Sequence, residues 1–251
     1  MNTQNTQNTK LNTDSFNFAN FATDDIAARV AAVQARIAAA CIAVGRDPSE
    51  VRLLPVSKTH PAAAVYALWQ ASGITRFAEN KVQELAKKQN ELASIAPLTW
   101  ALIGHLQTNK AGAAAVAAAE FQALDSIRIA AALERRLSEL ERSLDVLIEV
   151  NTSGEVSKWG LAAAEVAAFA QALTAYPHLK VRGLMTVAAP DLNDAERGFA
   201  ALAGLRETLL AQGAPGEWNE LSMGMSNDFE TAIRYGSSCV RIGTAIFGAR
   251  G

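Results

Sequence analysis

Short apolar, β-prone runs recur along the chain, and each is followed by a stretch whose apolar residues repeat with helical spacing. The runs predict strands at 51–57, 75–79, 99–103, 121–124, 145–150, 180–187, 220–222 and 239–242. Helical segments are expected between them, at about 61–72, 81–94, 108–119, 126–143, 162–175 and 190–212, with one more opening at Ser226-Asn227-Asp228. Strict alternation of strand and helix implies a parallel sheet with right-handed crossovers. Eight repeats in the roughly 230 residues available fit one closed α/β barrel, a (β/α)8 or TIM barrel. An open doubly wound sheet would need a switch point and usually has fewer strands. No helix of any length follows the last run. Ahead of the first, Ile26, Val30, Val33, Ile37 and Val44 mark an additional N-terminal helix at 24–44, stopped by Gly45, that can fill the gap in the outer ring.

Residues 1–22 break this pattern. They open as the polar repeat Met-Asn-Thr-Gln-Asn-Thr-Gln-Asn-Thr-Lys and carry too little apolar surface to pack. The expectation is a disordered tail at 1–22 and one domain at 23–251. The tail lacks the basic-then-apolar order of a signal peptide. Regular charges in the alanine-rich segments argue against membrane crossing. With 251 residues, 50% of them hydrophobic, the chain can bury a large core. Its 23 basic and 25 acidic side chains nearly cancel, and no lysine/arginine block appears, which argues against a nucleic-acid partner. Cys41 and Cys239 are isolated and lack metal-ligand spacing; they read as free thiols in a reducing compartment, with a cytoplasmic location expected.

In such barrels the segments after the strands meet at one rim, where sites form. The first predicted strand ends at Ser57-Lys58. A lysine there can snorkel into solvent. Alternatively its amine leaves water, its pKa falls, and it becomes a nucleophile toward an aldehyde. The last two strands end in Met223-Gly-Met-Ser226 and Gly243-Thr244. Ser226 is expected at a helix N-cap, Gly243 permits close backbone approach and Thr244 adds a hydroxyl, which together suggest a phosphate cup. Ser226 as a plain cap and Gly243 as a plain bend remain open readings. Arg241 lies within an apolar strand and needs a partner, either a core carboxylate such as Glu149 or Glu220, or an acceptor on a ligand. Asn80 follows the second strand and His105 the third; both have ordinary readings, as a helix cap and a strand-end hydrogen bond. An amine, a phosphate cup and a fixed donor match the aldehyde, phosphate and ring nitrogen of pyridoxal 5'-phosphate.

The stretches LLPVSKTHP (53–61), FAENKVQEL (77–85), WALIGHLQTNK (100–110), VLIEVNTSGEVSKWGL (146–161), VRGLMTVAAP (181–190), LSMGMSNDFETAI (221–233) and VRIGTAIFGAR (240–250) resemble, in order, the pyridoxal phosphate homeostasis protein family. The resemblance implies a single barrel like the N-terminal domain of alanine racemase, with Lys58 forming the internal aldimine. It places Asn80 in the site, Arg241 at the pyridine nitrogen, and Ser226, Gly243 and Thr244 on the phosphate. Three positions depart from the family pattern: Ala78 and Lys81 in Ala78-Glu79-Asn80-Lys81, where Gly-Glu-Asn-Tyr is more common, and Trp159, where a smaller residue is usual. The implied function is a carrier in pyridoxal phosphate homeostasis. Its partners would be the cofactor and, transiently, apo-enzymes, with no nucleic acid and no membrane, on a monomer or at most a weak dimer. A pyridoxal phosphate-dependent racemase is the rival. Arg241 would leave the ring nitrogen unprotonated, and two-base racemases with this barrel draw their opposing tyrosine from a further β-rich domain. A sugar-phosphate enzyme, the third reading, would bind phosphate without a chromophore.

Overall fold

The computed structural model describes residues 23–94, 97–155 and 158–248. The tail expected at 1–22 lies outside the described residues. Eight strands run in the predicted order: β1 (Arg52–Pro55), β2 (Arg76–Glu79), β3 (Thr99–Leu102), β4 (Glu120–Leu124), β5 (Leu144–Glu149), β6 (Leu179–Met185), β7 (Glu220–Ser222) and β8 (Cys239–Ile242). All pairings are parallel, in the order β1-β8-β7-β6-β5-β4-β3-β2. The two ends of that order meet at the Val56–Ala78 bridge, where Ser57 N–H donates to the Ala78 carbonyl at 3.0 Å. The barrel therefore closes on one short seam, just below Lys58 and Asn80.

The helices are α1 (Thr23–Ala43), α2 (Ala62–Ser72), α3 (Val82–Leu92), α4 (Ala111–Ala117), α5 (Ile127–Glu139), α6 (Val166–Leu173), α7 (Leu192–Ala211), α8 (Phe229–Arg234) and the single turn α9 (Thr244–Phe247). Helix α1 packs against α2, α8 and α9, which is the gap in the outer ring that it was expected to fill. Its 25–43 stretch is long and apolar enough to cross a membrane by length and composition. Here its stripe of Ile26, Val30, Val33, Ile37 and Cys41 is buried in the common core. Cys41, rather than Val44, completes that stripe; Val44 lies past the helix end and is exposed.

Most of the apolar core lies between sheet and helices. A smaller cluster of Leu54, Val56, Ala78, Ala101 and Cys239 fills part of the barrel interior. The rest of the interior is polar. Gln122 on β4 accepts from Ser222 on β7 at 2.7 Å, a bond that crosses the lumen because those strands are not neighbours. Gln122 in turn donates to Glu120. Glu120 takes both Arg52 nitrogens at 3.0 Å and Arg76 at 2.9 Å, and Arg52 also pairs with Glu220. These bonds pin the floor of the barrel from β1, β2, β4 and β7.

The β5–β6 register shifts near Gly183. A Cβ at Gly183 would lie 1.8 Å from the Glu220 carbonyl oxygen of β7. Only glycine lets the bulged strand approach its neighbour so closely. Gly183→Ala is expected to cost about 3 kcal/mol or more, because backbone must move to admit the methyl. A urea titration of both proteins checks this through the shift in midpoint.

Candidate functional site

The strand ends surround a cavity of about 620 Å³. Lys58, Asn80, Ser226, Arg241, Gly243 and Thr244, the candidates named from sequence, all line it. Lys158, Asp228 and the apolar Val56, Ile103, Val187, Ala188, Ala189, Pro190, Leu192 and Met225 complete most of the wall. Val187, Leu192 and Met225 are exposed at its mouth.

Lys58 is half-buried in the turn that follows the Val56 bridge. His60 N–H donates to the Ser57 carbonyl at 3.0 Å, closing a four-residue turn with Lys58 and Thr59 at its centre. Thr59 has φ 69°, a left-handed conformation that β-branched side chains rarely adopt. Its N–H donates to Glu84 Oε1 at 2.6 Å. Lys88, buried in α3, donates to the Ser57 carbonyl at 2.7 Å, to Glu79 Oε1 at 2.5 Å and to Glu84 Oε1 at 3.0 Å. Ser57 Oγ donates to Glu79 Oε1 at 2.6 Å. Burial pushes the Glu79 carboxyl above its ordinary pKa, against the opposing pull of Lys88 and Ser57.

Asn80 leaves β2 beside this network. Gly104, after β3, approaches so closely that a Cβ there would lie 2.4 Å from the Asn80 carbonyl oxygen. The adjacent His105 stacks on Trp159 with ring centroids 3.6 Å apart and an interplanar angle of 15°. Trp159 is otherwise exposed. Next to it, Lys158 turns its amine inward, 2.9 Å from Glu155 Oε1.

Arg241 is only 4% exposed. Its guanidinium donates to Ser222 Oγ at 2.7 Å and to the Thr186 carbonyl at 2.7 Å. No carboxylate pairs with it among the described residues. Glu220, one of the two partners considered from sequence, pairs with Arg52 instead. Glu149, the other, is near enough to influence Arg241 electrostatically, and its Oε2 is buried without a hydrogen-bond partner. Burial holds the Arg241 pKa below its usual value, yet guanidinium stays charged throughout the working range.

The wall facing Arg241 comes from the segments after β7 and β8. Ser226 does not cap α8 as the sequence suggested. Asp228 occupies that N-cap position, and its Oδ1 accepts the Met225 N–H at 2.6 Å. Two residues of turn intervene between Ser226 and the helix. The Ser226 hydroxyl instead accepts the Ala245 N–H at 3.3 Å, tying the β7 loop to the turn after β8. Gly243 sits against β1, where a Cβ would come within 3.2 Å of the Val56 carbonyl oxygen. Thr244 follows it, exposed to the cavity mouth.

Cys41 and Cys239 are free and buried. Burial pushes the Cys239 thiol up to about 12, so it stays protonated and packs as an apolar side chain. No group of His, Cys, Asp and Glu that could hold a metal ion occurs among the described residues.

The reading from sequence passed over Lys158, Thr186, Ser222, Glu84 and Lys88. Each lies in a segment that was noted, but nothing in residue spacing shows which backbone oxygen a lysine reaches or which hydroxyl an arginine meets.

Glu149 generates a pH prediction. Burial first, then the charge of Asp125, raises its pKa from 4.5 to about 7, against the pull of Arg241. The native protein thus holds a proton that the unfolded chain has released. The group's contribution to stability falls as pH rises from about 4.5 to about 7, then levels off. The full change is roughly 3 kcal/mol. Relative to wild type, Glu149→Gln is expected to gain stability progressively across that window, and parallel denaturation curves from pH 4 to 8 check it.

Residues 27–251 match the alanine racemase N-terminal domain family. A pyridoxal phosphate homeostasis protein of Pseudomonas aeruginosa is 45% identical over 225 residues, covering 90% of this chain and 96% of the relative. Its counterpart in Escherichia coli strain K12 is 41% identical, over 90% of this chain and 97% of the relative. The structure of PipY from Synechococcus elongatus with pyridoxal phosphate bound superposes with a TM-score of 0.78 at 34% identity, over 89% of this chain and all of PipY.

Proposed function

The chain belongs to the pyridoxal phosphate homeostasis family, built on the alanine racemase N-terminal domain, and from that premise we propose that it binds pyridoxal 5'-phosphate reversibly at Lys58 for storage or delivery to apo-enzymes. The observation that carries this reading is the wall of the cavity. One end offers the Lys58 amine, another a buried guanidinium without a carboxylate partner, and a third the hydroxyls of Ser226 and Thr244 beside Gly243. A Cβ at Gly243 would crowd the Val56 carbonyl oxygen, at 3.2 Å. A cavity of about 620 Å³ falls within the usual range for small-molecule sites, and its lining is apolar with a few polar groups, as such sites generally are. The residues therefore fit the cofactor.

Pyridoxal phosphate supplies an aldehyde that a lysine amine can capture and later release. Lys58 would provide that amine. Arg241 would donate to the ring nitrogen and, being unable to accept a proton, would leave that nitrogen unprotonated. Ser226, Gly243 and Thr244 would hold the phosphate, with Asn80 beside the ring. The exposed apolar mouth leaves the ligand a path out, as a carrier requires.

We place holding, rather than turnover, as the protein's work. Exchange of a substrate's α-proton from both faces needs an acceptor opposite Lys58. The other titratable groups lining the cavity are committed elsewhere: Lys158 is paired with Glu155, and the Asp228 carboxylate caps the turn at Met225.

Titration with pyridoxal phosphate is expected to give a visible absorption band, and borohydride reduction a stable adduct at Lys58 by peptide mass. Lys58→Ala is expected to lose both; retention of the band would overturn the assignment. Amino acids incubated with the loaded protein in D₂O are expected to keep their α-hydrogens for hours. Rapid exchange would instead establish the racemase reading.

A further inference from the structure

The turn that carries Lys58 is held from both sides by one buried side chain. Lys88 Nζ meets the Ser57 carbonyl at 2.7 Å on the N-terminal side of Lys58. On the C-terminal side it meets Glu84 Oε1 at 3.0 Å, and that same oxygen takes the Thr59 N–H at 2.6 Å. Its third bond goes to Glu79, so the three ammonium protons are all used. Thr59 occupies the third position of the turn with φ 69°, where glycine or asparagine is usual. A threonine there is strained and persists only if its surroundings hold it.

We propose that Glu84 and Lys88 are positioning residues, which hold the strained Ser57–His60 turn in the one conformation that presents the Lys58 amine to the cavity. Neither touches the ligand in this scheme. Glu84 fixes the Thr59 amide, Lys88 fixes Glu84 and the Ser57 carbonyl, and the amine is aimed as a result. The inference rests on the reading of Lys58 as the attachment point. It goes further by explaining why α3 places a Glu-x-x-x-Lys pair on the face toward β1, with Lys88 4% exposed, when such pairs ordinarily face water.

A double-mutant cycle on the full chain tests it, read by the affinity and the rate of attachment of pyridoxal phosphate from its absorption band. Glu84→Ala is expected to weaken binding and slow attachment about tenfold, while the melting curve stays cooperative. Thr59→Gly, which adopts the left-handed conformation without strain, is expected to bind within about threefold of wild type. In the Thr59→Gly background, the loss caused by Glu84→Ala should shrink to less than about threefold, since no strain remains to be held. Glu84→Gln keeps an acceptor for the Thr59 amide and is expected to recover most of the affinity. It also carries the same cycle should Glu84→Ala fail to fold, with a smaller loss that likewise disappears beside Thr59→Gly. Equal losses in both backgrounds, or no loss from either Glu84 variant, would overturn the positioning role. Lys58→Ala runs alongside: if it keeps the absorption band, the attachment reading fails; if it loses the band while the cycle shows no coupling, only the clamp fails.

Discussion

A guanidinium that cannot shed its proton is buried in the lumen of this barrel, and much of the interior is arranged around it. An unpaired charge in a medium of low polarity is costly, and one partner of a buried ion pair normally offsets the other. Arg241 has neutral acceptors instead, the Ser222 hydroxyl and the Thr186 carbonyl. Ser222 in turn donates its hydroxyl proton to the Gln122 carbonyl oxygen, and the Gln122 amide nitrogen donates to Glu120. Each bond in this sequence therefore points away from the arginine. The negative charge that ends it lies on the barrel floor, between Arg52 and Arg76. The side of the guanidinium that faces the cavity is left to whatever occupies the site.

The other half of the site is held by a separate set of charges. Lys88, Glu79 and Glu84 lie behind β1 and β2, and grip the turn from which Lys58 projects. The two halves share one register. Leu54 pairs with Arg241 and Pro55 with Ile242, and Val56 N–H continues the ladder to the Ile242 carbonyl at 2.9 Å. A shift of that ladder would misplace the amine relative to the guanidinium, so strand pairing sets the distance between them. Gly243 belongs to the same ladder, since its approach to Val56 closes the wall between them.

The sequence made the framework legible because each strand of a parallel barrel is an apolar run between helical ones. Lys58 and Thr244 stand out as polar residues at strand ends, Gly243 as a glycine beside them and Arg241 as a charge within an apolar strand, whereas Asn80 joins the site only through the family resemblance. What stayed hidden depended on approach in space. Ser226 reads as a helix cap because serine before an acidic residue often is one, yet two further residues of turn let Asp228 take that role. Glu84 and Lys88 stand at ordinary helical spacing; only the structure shows Lys88 buried and reaching the Ser57 carbonyl, with Glu84 beside it. The acceptors of Arg241 are a hydroxyl at the end of the preceding strand and a backbone carbonyl, and a carbonyl leaves no mark on composition. Cys41 replaced Val44 in the α1 stripe because the helix stops before the valine.

The seam of the barrel has a bearing on how its contents can leave. Most junctions in the ring are ladders of two or more pairs, whereas β1 and β2 share the Val56–Ala78 bridge and β7 and β8 the single pair Ser222–Cys239. Local opening in a native protein follows the least-bonded backbone, and costs far less than global unfolding. The amide protons at Ser57 and its neighbours thus stand at one of the sparsest joints of the cylinder. Parting its upper end separates Lys58 from Asn80, while Glu120 ties Arg52 of β1 to Arg76 of β2 at the floor. A ring with a sparse joint can widen like a split collar, and in this protein the amine that would bear the cargo is mounted beside such a joint.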